Sequence, residues 1–155
     1  MIMNKFICAA LIALSLGGCG PQGPKKYIRI IGGGISFNYR YSKATLITVI
    51  KTLSPLPQGG QIEAQFEVPG KTEPNIVTMA VVESRLTYSL ESDAMLGIKK
   101  DVPLHVTILA RDAKGEILDT EKTQYISDTD QEGLPTKPLM DPNFPGYIPL
   151  PENLK

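Results

Sequence analysis

Cys19 is the side chain best placed for covalent chemistry. It follows Leu16-Gly17-Gly18, which ends in two small residues. It also closes an apolar run from Phe6 to Leu16 that begins behind Lys5. One positive charge, a largely apolar run and a small-residue exit form the layout of a secretory signal. The run falls short of the about 20 residues that span a bilayer, so it reads as an export address. Cys8 lies inside the run and leaves with it, so Cys19 keeps no intramolecular partner and the exported body has no internal disulfide.

The other side chains able to do chemistry form no compact set. His105 is the single histidine and sits at a polar-face position of a strand-like run. A Ser-His-Asp arrangement would hinge on that one ring, and a metal site would need oxygen ligands throughout. Gly32-Gly33-Gly34 is followed by a strand and by no Gly-Lys-Ser/Thr, which gives a bend or bulge between strands in place of a phosphate cradle. Asp112, Glu116 and Asp119, and the run Asp128-Thr129-Asp130-Gln131-Glu132, offer carboxylates to a calcium ion. Turn chemistry and a solvated boundary account for them equally well. Phe37, Tyr39, Tyr41 and Tyr88 have core spacing, with a ligand-stacking face as the other reading. The residues predict no catalytic set, no metal and no cofactor.

The elements that must position these residues are strands. In Gln61-Ile62-Glu63-Ala64-Gln65-Phe66-Glu67-Val68 every even position is apolar and every odd one polar, so one face meets a core and the other water. Ile35 to Tyr41, Leu86 to Leu90 and Leu104 to Ala110 alternate in the same way, with Leu109 the one violation. Leu46 to Leu53, Ile76 to Val82 and Ile117 to Ile126 are rich in Thr, Val and Ile, which fit a pleated surface. Arg111-Asp112-Ala113-Lys114-Gly115-Glu116 carries the Asp and Gly of a hairpin turn. Ser92 to Lys100 could hold one helical turn. About seven short strands joined by turn signals predict an all-β fold, an antiparallel β-sandwich, with a closed barrel as the alternative.

Four regions follow. Residues 1–18 form the signal, and 19–26, rich in Gly and Pro, a tether. Residues 27–130 form the β-sandwich domain. Residues 131–155, with six prolines from Pro135 to Pro151, form an extended tail. The formal net charge is +0, and the loss of Lys5 leaves the body one positive charge short of neutral. No basic patch invites nucleic acid, and no strong field steers a charged substrate.

Leu16-Gly17-Gly18-Cys19 resembles the lipobox of bacterial lipoproteins. That resemblance implies signal-peptidase recognition through Leu16, Gly17 and Gly18, cleavage before Cys19, and lipid on Cys19. One acyl chain binds a membrane marginally, whereas two or three anchor it. In such families an Asp after the Cys favours the inner membrane of Gram-negative cells. Gly20 stands there instead, which implies the outer membrane, facing the periplasm. The run from Tyr88 to Ser92, the Leu104 strand, the Asp112 to Gly115 turn and the last strand to Asp128 resemble the closing strands of fibronectin type III or immunoglobulin-like modules. The core Trp and paired Cys of antibody domains are missing. Lipobox, sandwich and a Pro-rich tail with Pro145-Gly146-Tyr147 together resemble small uncharacterised lipoproteins of alphaproteobacteria, a family whose likeness implies no activity. The expected function is a membrane-anchored lipoprotein presenting a noncatalytic sandwich to a protein partner in the cell envelope, by strand addition or through the tail. The alternative is a small-ligand or polysaccharide binder that uses exposed aromatic rings.

Overall fold

The computed structural model describes Gly23, residues 25–38 and residues 43–133. Strands β1 (Ile28–Asn38), β2 (Lys43–Thr52) and β5 (Thr87–Glu91) make one antiparallel sheet in the order β1-β2-β5. Strands β3 (Gln61–Phe66), β4 (Asn75–Ala80), β6 (Pro103–Arg111) and β7 (Ile117–Ile126) make the other, in the order β4-β3-β6-β7. This is the antiparallel β-sandwich that the period of two predicts. β3-β4 and β6-β7 are hairpins within one sheet, while the connections β2 to β3, β4 to β5 and β5 to β6 change sheet.

Alternation decides what is buried. Ile62, Ala64 and Phe66 of β3 and Leu104, Val106, Ile108 and Ala110 of β6 meet Ala44, Leu46 and Ile50 of β2 and Tyr88 and Leu90 of β5 in a single core cluster. Each large apolar side chain removed from water there contributes about 2 kcal/mol, set against the entropy of fixing the chain. The β6-β7 turn is closed by Asp112, whose Oδ1 accepts the backbone N–H groups of Lys114 and Glu116 at 2.8 and 2.9 Å. Gly115 takes the left-handed conformation there, with φ of 87°.

Five local points correct or sharpen the sequence reading. The glycine triplet lies within a strand and not between two: Gly32, Gly33 and Gly34 belong to β1, paired with Val49, Thr48 and Ile47, and of the bend or bulge expected there the structure has a bulge, a register shift between Ile30 and Gly32. Ser92 to Lys100 forms no helical turn. Its backbone groups are satisfied from outside, since Met95 N–H donates to Ala44 O, Ile98 N–H to Gln131 Oε1, and Gln131 Nε2 to Met95 O. Leu86 lies before β5 and is exposed rather than on the core face. Leu109, the violation of alternation, is buried outside the main core cluster, opposite Glu63 of β3 and Thr120 of β7. Gln131, in the stretch assigned to the tail, is buried and joins the short 3-10 turn Gln131–Gly133 to the body.

Candidate functional site

Strand direction gives the sandwich two poles. Ile28, Thr52 and Thr87 in one sheet and Gln61, Ala80, Arg111 and Ile117 in the other lie at the first pole; Asn38, Glu91, Phe66, Asn75, Pro103 and Ile126 lie at the second. Among the described residues the seven strands carry the chain from the first pole, where β1 begins, to the second, where β7 ends. Gly133 follows Gln131, which is pinned beside Met95 and Ile98 at the second pole.

The arrival point is held by one carboxylate. Asp119 Oδ2 accepts the backbone N–H groups of Tyr27 at 2.7 Å and Ile28 at 3.1 Å. Its Oδ1 accepts Thr120 N–H at 2.8 Å and the Lys26 ammonium at 3.2 Å. Burial by itself would raise the Asp119 carboxyl. The N–H groups of Tyr27 and Ile28, the Lys26 ammonium and Thr120 N–H more than offset this and hold it below its ordinary value. Lys26 also reaches Glu121 at 2.8 Å, and Glu121 followed by Asp119 raises its pKa. From the other side, Leu53 N–H donates to Tyr27 O at 2.7 Å and Ser54 Oγ to Lys26 O at 2.8 Å.

Beside this clamp lies a groove of about 240 Å³ between the β2-β3 and β4-β5 connections. Leu53, Leu56, Val82, Arg85 and Leu86 line it above the buried Tyr88. Tyr88 Oη accepts Val82 N–H at 2.9 Å and donates to Val82 O at 3.1 Å, fixing the β4-β5 connection over the core. This resembles the tyrosine corner of immunoglobulin domains in its bond to upstream backbone, but it sits on β5. Leu53, Val82 and Leu86 are 42%, 50% and 64% exposed.

At the second pole His105 and Glu67 form a pair on the rim of a hollow of about 220 Å³ that Gln65, Lys71, Thr72 and Thr107 also line. Glu67 Oε2 accepts His105 N–H at 2.8 Å and lies 2.7 Å from His105 Nδ1. The backbone N–H and then the ring of His105 lower the Glu67 carboxyl from its ordinary range. A carboxylate orienting an imidazole is two-thirds of a nucleophile-activating set; the hydroxyls of the lining are those of Thr72 and Thr107, and among the described residues neither is hydrogen-bonded to the ring.

The sequence-flagged carboxylates are dispersed by their backbone duties. Asp112 closes the hairpin turn, Asp119 clamps β1, and Asp130 Oδ1 accepts Lys100 N–H at 2.8 Å. Glu132 pairs with Lys99. Among the described residues no group of three or more His, Cys, Asp or Glu could hold a metal ion. Tyr88 is fully buried and Phe37 half-buried. Tyr39, Tyr41, Leu16, Gly17, Gly18 and Cys19 lie outside the described residues.

Of the sheet edges, that of β7 runs beside β1, where Tyr125 Oη donates to Gly32 O at 3.1 Å. β4 has β3 on one side and no strand on the other among the described residues. It carries no charge between Asn75 and Ala80, and Ile76 is 55% exposed. The first-pole groove and the Asp119 clamp were not anticipated. Their signal was apolar Leu53, Leu56, Val82 and Leu86 sitting in turn segments, where polar residues are the rule.

No protein-family model matches the chain, and no curated protein does. Among solved structures, it is similar to catalytically inactive OgpA from Akkermansia muciniphila in complex with an O-glycopeptide substrate, glycodrosocin, at TM-score 0.40 and 11% identity. The match covers 67% of this chain and 30% of that one.

Proposed function

We propose that the chain is a lipoprotein, anchored through Cys19 to the outer membrane on its periplasmic side, that presents a noncatalytic β-sandwich to a protein partner. The observation that carries this reading is the separation of the termini of the body. Lys26 and Tyr27 are clamped at one pole and Gly133 emerges from the other. An anchor at the first pole turns the second pole, where Gly133 lies, away from the lipid.

The uncharged edge of β4 supports strand addition as the mode of contact. Natural edges that must stay unpaired carry charge, proline or a bulge, and β4 has none of these between Asn75 and Ala80. Crosslinking in intact envelopes, with the full chain as bait, tests the reading. Thr78→Lys puts a charge on an exposed edge position, and deletion of residues 134–155 removes the tail. The reading expects one of the two to abolish a crosslink that wild type makes. An unchanged partner set in both contradicts it.

A further inference from the structure

We infer that the first pole is a lipid-docking face, which seats the anchored sandwich on the leaflet in a fixed orientation. The inference rests on the anchored reading proposed above and adds to it a surface and its occupant, the lipid bilayer itself.

Chain length argues for that occupant. Eight peptide steps separate Cys19 from Tyr27, a reach of about 28 Å at full extension. Tyr27 is bound by Leu53 N–H and Asp119, so the tether arrives at the rim of the apolar groove. Exposure alone does not distinguish the poles, because Leu96, Val102 and Ile126 stand open at the far one. The arrival point does. A lipid on Cys19 holds Leu53, Val82 and Leu86 close to the leaflet, and at that effective concentration a modest apolar contact is enough to persist.

Charge points the same way. Arg29 and Lys51 are exposed and directly opposite each other across β1 and β2, a like-charge pairing that ordinarily costs stability. Lys25 lies over the Tyr27 ring and Arg85 over the Tyr88 ring, both at the same pole. None of these four cations has a carboxylate partner among the described residues. Arg85 on the groove wall, with Lys25, Arg29 and Lys51 at the same pole, offers cations to anionic headgroups where the groove offers apolar surface to acyl chains. Glu83 on the groove wall and Asp112 and Glu116 in the β6-β7 turn are opposing charges at this pole.

The chain contains no Trp, so one introduced indole reports from a single place. Leu86→Trp marks the first pole and Leu96→Trp the second, both at exposed positions. Each full-length protein is reconstituted from its host membrane into vesicles of phosphatidylethanolamine and phosphatidylglycerol with brominated acyl chains. The mass of its amino-terminal peptide is measured in parallel. Docking predicts several-fold stronger quenching and a blue-shifted emission for Leu86→Trp, weaker when phosphatidylglycerol is left out, with Leu96→Trp unquenched. Equal quenching at both positions, or none at either, on acylated protein overturns the docking face and leaves the anchor standing. A Leu86→Trp emission that shifts with protein concentration but is not quenched would identify a second copy as the occupant, and also overturns it. An unacylated amino terminus removes the anchored reading and this inference together.

Discussion

The phenol of Tyr125 fills the space that a Cβ on Gly33 would need. Such an atom would lie 2.1 Å from Tyr125 Oη and 2.3 Å from the carbonyl oxygen of Ile47, and Gly33 has a φ of 145°. Two costs therefore coincide, a backbone conformation that side chains disfavour and a collision with a neighbouring strand. Gly33→Ala should destabilise the fold by about 3 kcal/mol or more, measured by urea unfolding. Combining it with Tyr125→Ala should not restore stability, because the Ile47 carbonyl belongs to β2 and cannot move aside. A Gly33→Ala protein as stable as wild type would contradict this packing of β1 on β7.

Thr48 sits opposite Gly33 in β2, fully buried, with a hydroxyl that has no hydrogen-bond partner among the described residues. An unsatisfied buried hydroxyl costs about 1–3 kcal/mol, and valine has nearly the same shape without it. Thr48→Val should raise stability by about 1 kcal/mol, seen as a higher unfolding midpoint with an unchanged denaturant slope. A lower midpoint would mean that the hydroxyl has a partner.

Acid should loosen both poles. Asp119 is held below its ordinary value of 3.8, and Glu63 and Glu67 below 4.5. For Glu63 the cause is chiefly Arg111, whose Nε lies 2.9 Å from Oε2. A carboxyl with a lower pKa in the folded state contributes stability that is complete above its unfolded pKa. That contribution is lost as the pH falls through the folded one. Unfolding free energy should thus be level near about pH 6 and fall as the pH drops below about 4. Asp119→Ala should cost about 2 kcal/mol near neutrality, since it strands the N–H groups of Tyr27 and Ile28, and should flatten the acid dependence. An acid profile identical to wild type would show that Asp119 is not the clamp.

Tyr88→Phe isolates the Val82 contact. It keeps the ring in the core but removes both hydrogen bonds to Val82, so a loss of about 1–2 kcal/mol is expected. The β4-β5 connection should also gain amide exchange at Val82 to Leu86, read by hydrogen exchange. Unchanged exchange there would mean that the connection is held by other contacts.

Much of the fold was legible because burial in a two-faced sheet leaves a period of two. Gln61 to Phe66 obeys it without exception, and the Asp112 to Gly115 turn announces a hairpin through its own side-chain acceptor. What was illegible depended on distant partners. Gly32 to Gly34 reads as a break until Tyr125, ninety or so residues on, is seen to need the space. Met95 and Ile98 share helical spacing, yet Gln131 satisfies their backbone from across the body. Asp119 reads as one carboxylate of a loose cluster, and its role depends on the amino-terminal end of β1 being brought to it. The groove at the first pole was hidden for the same reason, since its walls come from two connections that no local pattern links.

The most direct measurement is incorporation of a fatty acid analogue into the full-length chain in its host, comparing wild type with Cys19→Ala. The account predicts label on the wild-type protein, none on the variant, and the variant accumulating at its uncleaved size. A wild-type protein that carries no label and is recovered free of membrane would contradict it.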